Sequence, residues 1–172
     1  MIMKLRDMIL TSLLIAIGLV LHYIVPPIMG GMKPDFLLAM LFVALYIDDS
    51  PKNALLAGIL AGIFSALTTS FPGGQIANMC DKIVTAFAVI AMIKVFSKLN
   101  QNVSVIITAI VGTIISGTVF LETALLIVGS LPVAFPVLFT TVVIPAAAVN
   151  TIATFVCYKV VASMQKSVLH RA

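Results

Sequence analysis

The sequence predicts an all-α integral membrane protein, a six-transmembrane-helix bundle with both termini in the cytoplasm. Three observations lead to this fold class. Hydrophobic residues make up 62% of the chain and charged residues only 9%, with a mean hydropathy of +1.23, whereas a soluble domain needs a polar surface. The apolar residues fall into six stretches, and most basic residues fall in the loops of one side and at the two ends.

The six apolar stretches are the candidate helices of one domain, residues 1–172. A bilayer core is crossed by about 20 helical residues, and by this measure two of the stretches, the second and the third, are short. Strands of a membrane barrel would alternate apolar and polar residues over about 10 positions, and the chain has no such alternation. The predicted helices are Met8–Val25, Pro34–Ile47, Ala54–Thr69, Ile76–Phe96, Val103–Val128 and Val137–Val161.

The basic residues predict the orientation of the bundle. With six spans and both ends inside, eight of the ten Lys and Arg residues fall on the cytoplasmic side, Lys33 is in an outer loop and Lys82 is within a span. Short cytoplasmic loops carry an excess of Lys and Arg, so both termini are predicted to be cytoplasmic. The net charge of +4 reflects this asymmetry, and no nucleic-acid partner is needed to explain it. The apolar N-terminus is expected to be retained as the first helix.

The second helix begins in the segment "GGMKPDF". Pro34 suits a first helical turn, and Asp35 suits the positive end of the helix dipole; a simple helix start is therefore one reading. The stretch Pro34–Ile47 is also short, at roughly 21 Å against a span of about 30 Å. If the helix ends at the inner surface, Lys33 and Asp35 line a depression on the outer side.

The fourth helix carries two charges just after the bend "TTSFPGGQIANMCDK". Asn78, Asp81, Lys82 and Thr85 fall within one sector about 100° wide, and such a stripe faces the bundle interior or a cavity rather than lipid. Because adjacent residues on a helix point about 100° apart, Asp81 and Lys82 are not expected to neutralise each other directly.

Glu122 on the fifth helix and Asn150 on the sixth are predicted to converge on this stripe. The alternative is a set of internal ion pairs, such as Lys82–Glu122 or Lys33 with Asp35 or Asp81, that only hold the helices in register. Buried ion pairs contribute little net stability, and the polar residues gather at one end of the bundle, which favours a site. Phe71 in the outer loop is a candidate hydrophobic cover, or an ordinary interfacial residue.

No motif of an enzyme, a nucleotide-binding loop or a metal site is present in the sequence, so neither catalytic activity nor a cofactor is predicted. Cys80 and Cys157 have no metal-ligand spacing and are expected to be small buried packing residues. A cavity that combines both charges, amides and aromatic rings suits a zwitterion with an apolar side chain, such as an amino acid.

The segments "AIGLVLHYIVPPIMGGMKPDF" (Ala16–Phe36) and "LTTSFPGGQIANMCDK" (Leu67–Lys82) closely resemble the tryptophan-transport protein family, TrpP. This resemblance implies uptake of L-tryptophan and a fold similar to that of the S components of energy-coupling factor (ECF) transporters. S components bind the ligand toward the extracellular face and depend on a transmembrane T subunit and two ATPases. Their first helix offers small residues, typically Ala-xxx-Ala, to the T subunit; this chain has Ser12-xxx-Ala16.

With tryptophan as the ligand, each predicted site residue has a hypothetical role. Asp81 and Glu122 are candidates for the ammonium group, and Lys33 and Lys82 for the carboxylate. Gln75, Asn78 and Asn150 are candidates to accept the indole N–H, and Phe71 to stack on the ring. Two alternatives remain: an S component for a vitamin or another aromatic compound, and a membrane scaffold that transports nothing.

Overall fold

The computed structural model describes residues 5–25 and 35–169, and every regular element in them is helical. Lys33, one of the two residues predicted to line the outer depression, and Pro34, the predicted start of the second helix, lie outside the described residues. The elements are α1 (Leu5–Ile24), α2 (Phe36–Ile47), α3 (Pro51–Thr68), α4 (Gly74–Val95), a 3₁₀ turn (Phe96–Lys98), α5 (Gln101–Val128), α6 (Phe135–Leu138), a π-helical turn (Phe139–Val143) and α7 (Ile144–Leu169). The last three follow one another without a break.

The helix starts are set by local chemistry. Asp35 is the N-cap of α2, and its side chain accepts a hydrogen bond from the backbone N–H of Leu38. Ser50 caps α3 in the same way, since a side-chain oxygen satisfies an N–H that has no intrahelical partner. Gly73 precedes α4 in the left-handed conformation, with φ of 69°, which glycine adopts without steric cost. Helix α4 therefore begins two residues before the predicted Ile76.

Helix α2 is the core of the bundle. It has only 12 residues, and nine of them are buried, as expected for a helix that is apolar all round. Helices α1, α3, α4, α5 and α7 all contact it. At 1.5 Å per residue the helix is roughly 18 Å long, shorter than a bilayer core of about 30 Å, so its two ends do not both reach the membrane surfaces.

Small residues bring α3 close to α4. A Cβ atom at Gly58 would lie 3.0 Å from the Cα of Ile83 and 3.1 Å from the carbonyl oxygen of Lys82, and one at Gly62 would lie 3.2 Å from the Cα of Met79. The row of small residues on α3 therefore packs within the bundle, as small-residue faces allow. This contact fixes the backbone of α4 next to the two charged residues.

Four of the described helices are long and apolar enough to cross a membrane: Leu5–Ile24, Pro51–Thr68, Gln101–Val128 and the continuous stretch Phe135–Met164. Helix α4 has 22 residues but includes Asp81 and Lys82, and α2 is apolar but short. The all-helical membrane class is confirmed, whereas the count of six spans and the side on which the termini lie stay predictions.

Candidate functional site

One end of the bundle contains a cavity of about 350 Å³, within the size range of small-molecule sites. It lies where α1 ends, α2 begins, α3 ends and α4 begins, beside the C-terminal half of α5 and the first turns of the last helical stretch. Its polar lining residues are His22, Asp35, Ser65, Thr68, Thr69, Asn78, Asp81, Lys82, Thr113, Ser116 and Asn150. The other lining residues are Leu38, Phe71, Gly117, Phe120, Leu121, Leu138, Val142, Val143 and Ala146.

Three charged residues form a cluster in the cavity wall, here called the Asp35–Lys82–Asp81 cluster. The Lys82 Nζ lies 2.6 Å from Asp81 Oδ2 and 2.9 Å from Asp35 Oδ2. The expectation that Asp81 and Lys82 do not pair directly was wrong. Directions on a helical wheel describe where side chains leave the backbone, and the long flexible lysine stem returns its ammonium to the neighbouring carboxylate.

The rest of the wall holds these two carboxylates in place. Asp35 Oδ1 accepts the N–H of Leu38 at 2.9 Å, and the backbone N–H of Asp35 donates to Asn150 Oδ1 at 2.8 Å. Thr85 donates to Asp81 Oδ1 at 3.0 Å. The start of α2 is thereby tied to α7, and Asp81 is fixed from within its own helix.

Exposure differs sharply within the cluster. The side chains of Lys82 and Asp81 are 2% and 1% exposed, whereas that of Asp35 is 30% exposed. In their ionised forms the three groups carry one negative charge in excess. A cation in the cavity would compensate that charge, and Asp35 is the carboxylate that a ligand can reach.

Amide and aromatic groups complete the wall. Asn78 Nδ2 donates to the carbonyl oxygens of Gly74, at 2.8 Å, and Ser65, at 3.4 Å, which places its amide between α3 and α4. The rings of Phe71 and Phe120 meet edge to face with 5.2 Å between their centroids, a favourable aromatic arrangement. Phe120 was not predicted, because a single phenylalanine in an apolar helix carries no signal.

The cavity brings together six of the predicted site residues: Asp35, Phe71, Asn78, Asp81, Lys82 and Asn150. Gln75 and Glu122 are exposed and do not line it. Glu122 therefore does not pair with Lys82, whose two carboxylate partners come from α2 and α4. Ser12 and Ala16 are exposed on α1, apart from the cavity. No three His, Cys, Asp or Glu side chains in the described part of the chain are grouped so as to hold a metal ion.

Three buried polar atoms in the cavity wall, which the sequence did not single out for the site, have no hydrogen-bond partner among the described residues: His22 Nδ1, Ser65 Oγ and Thr113 Oγ1. A buried polar atom without a partner is costly, so each one in a cavity wall is a contact available to a ligand. Serine and threonine are common in membrane helices, and their hydroxyls usually bond to the backbone of their own helix. No sequence signal therefore distinguishes Ser65 and Thr113 from the other hydroxyl residues.

Apolar spanning helices with a partly charged, aromatic-lined cavity at one end of the bundle are typical of a membrane protein that transports a small molecule. The sequence matches the model of the family described as "Tryptophan transporter TrpP" over residues 4–166. The chain belongs to this family. It is a multi-pass plasma-membrane transport protein, as predicted, and the family is one of transporters rather than enzymes.

Curated relatives agree with this assignment. The chain is 50% identical over 151 residues to a "Probable tryptophan transport protein" of Clostridium acetobutylicum, a match that covers 87% of this chain and 88% of the relative. It is 46% identical over 159 residues, 92% of each chain, to a protein of the same description from Bacillus subtilis. A third, from Clostridium perfringens, is 43% identical over 162 residues, with 88% of each chain covered. No solved structure matches this chain.

Proposed function

We propose that this chain takes up L-tryptophan and binds it in the cavity beside the Asp35–Lys82–Asp81 cluster. The carrying observation is that a cluster of two carboxylates and one ammonium group shares its cavity with an aromatic pair, in a member of a tryptophan transporter family. A zwitterionic aromatic amino acid supplies the cation and the ring that such a cavity suits.

Asp35 receives the ammonium group in this proposal. Its carboxylate is the exposed one of the pair, and its Oδ1 is already oriented by the start of α2. Asp81 stands behind it as a second negative charge. Lys82 holds the two carboxylates together, which differs from the role in carboxylate binding that the sequence suggested, because it is 2% exposed and two of its three N–H donors already bond to Asp35 and Asp81.

Other lining groups serve the rest of the substrate. Asn78 and Asn150 position the walls through their hydrogen bonds to α3 and α2, and Phe71 with Phe120 covers the aromatic ring. Lys33 remains a candidate for the substrate carboxylate on sequence grounds alone. Gln75 and Glu122 have no part in the proposal.

The proposal places the cavity on the extracellular side of a single six-span domain, residues 1–172, with both termini in the cytoplasm. The distribution of Lys and Arg supports this orientation. Most cavity-lining residues belong to a helix end, half or loop that is outermost in the same arrangement, and Thr113 and Asn150 lie near the middle of their spans. A site on that side binds substrate from outside the cell.

An S-component-like mode of action adds partners to the proposal. The exposed small residues Ser12 and Ala16 on α1 suit contact with a T subunit, which would act together with two ATPases. Co-purification of the chain with these subunits from native membranes tests this part. Recovery of the chain alone, with full uptake after the ATPases are deleted, would identify a self-sufficient carrier instead.

Fluorescence titration tests the binding site itself. The chain contains no tryptophan, so added L-tryptophan is the only indole emitter, and a saturable blue shift of its emission reports binding. Asp35→Asn should weaken that binding roughly 10- to 100-fold, since a hydrogen bond to a charged group contributes about 1.5–3 kcal/mol. Asparagine is as good an N-cap as aspartate, so α2 should keep its start.

Glu122→Gln is the matched control, because it makes the same chemical change at an exposed carboxylate near the same end of the bundle. Its affinity should stay within about 2-fold of the wild type, as expected for an exposed charge outside the site. Folded wild-type protein that produces no saturable shift would rule out tryptophan as the ligand. Equal losses in the two variants would rule out the assigned role of Asp35.

A further inference from the structure

One face of α5 lines the cavity along its depth. Thr113 lies at the deep end, because the preceding Gly112 packs against the core: a Cβ there would be 2.8 Å from Phe42 Cζ. Phe120 lies about two helical turns further along and contacts Phe71 in the loop before α4. The cavity therefore runs from an aromatic pair at the loop end to Thr113 next to the core.

The hydroxyl of Thr113 is unusual among those of the described helices. Thr118 and Thr151 donate to the carbonyl oxygen four residues earlier, at 2.8 and 2.6 Å, the common arrangement for threonine in apolar helices. Thr113 is 4% exposed, and its Oγ1 has no partner among the described residues. Its hydrogen-bonding capacity is thus left for whatever fills the cavity.

The wall close to Thr113 is mostly apolar. Gly117, one turn along α5, faces Val143, since a Cβ at Gly117 would be 2.6 Å from Val143 Cγ1. Leu38 and Ala146 also line the cavity. A ring seated here would meet these aliphatic groups and the hydroxyls of Thr113 and Ser116, whereas the charged cluster occupies the wall made by α2 and α4.

We propose that Thr113 is a specificity-determining residue whose hydroxyl oxygen accepts a hydrogen bond from the indole N–H of the substrate. The ring occupies the apolar deep part of the cavity, the ammonium group lies at Asp35, and the Phe71–Phe120 pair closes the loop end. This inference rests on the proposed function. A buried hydroxyl that only the correct ligand satisfies discriminates strongly against analogues that lack the N–H.

The test compares two ligands that differ at one atom. L-3-Benzothienylalanine has sulfur in place of the indole N–H, and calorimetric titration measures its affinity and that of L-tryptophan for the purified protein. The wild type should bind tryptophan roughly 5- to 100-fold more tightly than the analogue. This range corresponds to the free-energy cost of leaving one buried polar group without a hydrogen bond. Thr113→Val should reduce this preference to within about 2-fold by weakening tryptophan binding alone, and Thr113→Ser should restore it.

Thr154→Val is the matched control. Thr154 is also buried, at 1% exposed, and its hydroxyl has no partner among the described residues. Because Thr154 does not line the cavity, its variant should keep the wild-type preference. The inference would be overturned if Thr113→Val kept the wild-type preference for tryptophan, or if it lost affinity equally for both ligands. It would also be overturned if Ser65→Ala, rather than Thr113→Val, abolished the preference. Wild-type protein that binds neither ligand would overturn the proposed function together with it.

Discussion

Replacing Lys82 with methionine removes the only cation that contacts Asp35 and Asp81 among the described residues. Methionine keeps an unbranched chain that fills irregular space, so the change removes charge with little loss of packing. Asp81 is left 1% exposed, and it keeps the hydrogen bond from the Thr85 hydroxyl. We expect this variant to be the most strongly destabilised of those considered in this article.

The magnitude follows from the geometry of the cluster. The Lys82 ammonium lies 2.6 Å from one carboxylate and 2.9 Å from the other, and it is 2% exposed. Removing one partner of a buried pair costs about 3–5 kcal/mol, because it leaves an uncompensated buried charge. The pair itself contributes little net stability, so exchanging both partners for neutral residues should be close to neutral.

Titration of the purified protein with SDS, followed by loss of helical circular dichroism, measures the free energy of unfolding. Lys82→Met should lose about 3–5 kcal/mol, and the double variant Asp81→Asn/Lys82→Met should regain most of that loss. Lys94→Met, a change at an exposed lysine on the same helix, should lose less than about 1 kcal/mol. If Lys82→Met is as stable as Lys94→Met, the cluster is not an ion pair in the folded protein.

Two further predictions follow from the packing and the charge of the site. Gly58→Ala should lower the free energy of unfolding in the same titration by about 1–3 kcal/mol, the usual cost of overpacking, because the new Cβ would lie 3.0 Å from the Cα of Ile83. Unchanged stability would mean that α3 and α4 separate easily. Tryptamine, which lacks the carboxylate, should compete with L-tryptophan at least roughly 10-fold better than indole-3-propionate, which lacks the ammonium, because one charge-assisted contact is worth at least about 1.5 kcal/mol. The reverse order would contradict an excess of negative charge in the cavity.

The sequence predicted the polar end of the bundle because spacing and helix length are visible in it. A stripe of Asn78, Asp81 and Lys82 on one sector of a helix has to face protein or water, and all three line the cavity. The shortness of α2 likewise predicted that Asp35 lines a depression, and Asp35 does line the cavity. Helix bounds differed from the prediction by at most three residues, for example where the cap Ser50 extends α3 beyond its apolar run, except that the last helix ends at Leu169 rather than at Val161.

The contacts of long side chains and the hydrogen-bond partners of hydroxyl groups could not be predicted from spacing and helix length. The pairing of Lys82 with its neighbour depends on a flexible stem that a helical wheel ignores, and the exposure of Glu122 depends on how α5 is rotated against α4. Thr113 and Thr118 are the same residue type on the same helix, yet one bonds its own backbone and the other faces the cavity. Only the assembled bundle distinguishes them.

The position of the cluster accounts for why two charges can stand side by side within an apolar helix. A lone Lys82 in that place would be costly, and the carboxylates at 2.6 and 2.9 Å offset that cost only by leaving one negative charge over. The start of α2 supplies the second carboxylate at a point where it is still partly exposed. With both carboxylates ionised the cluster has one negative charge in excess, which in the proposed function is compensated by the ammonium group of the substrate. The same three residues thus connect α2 with α4 and, in the proposed function, select a substrate with a positive charge.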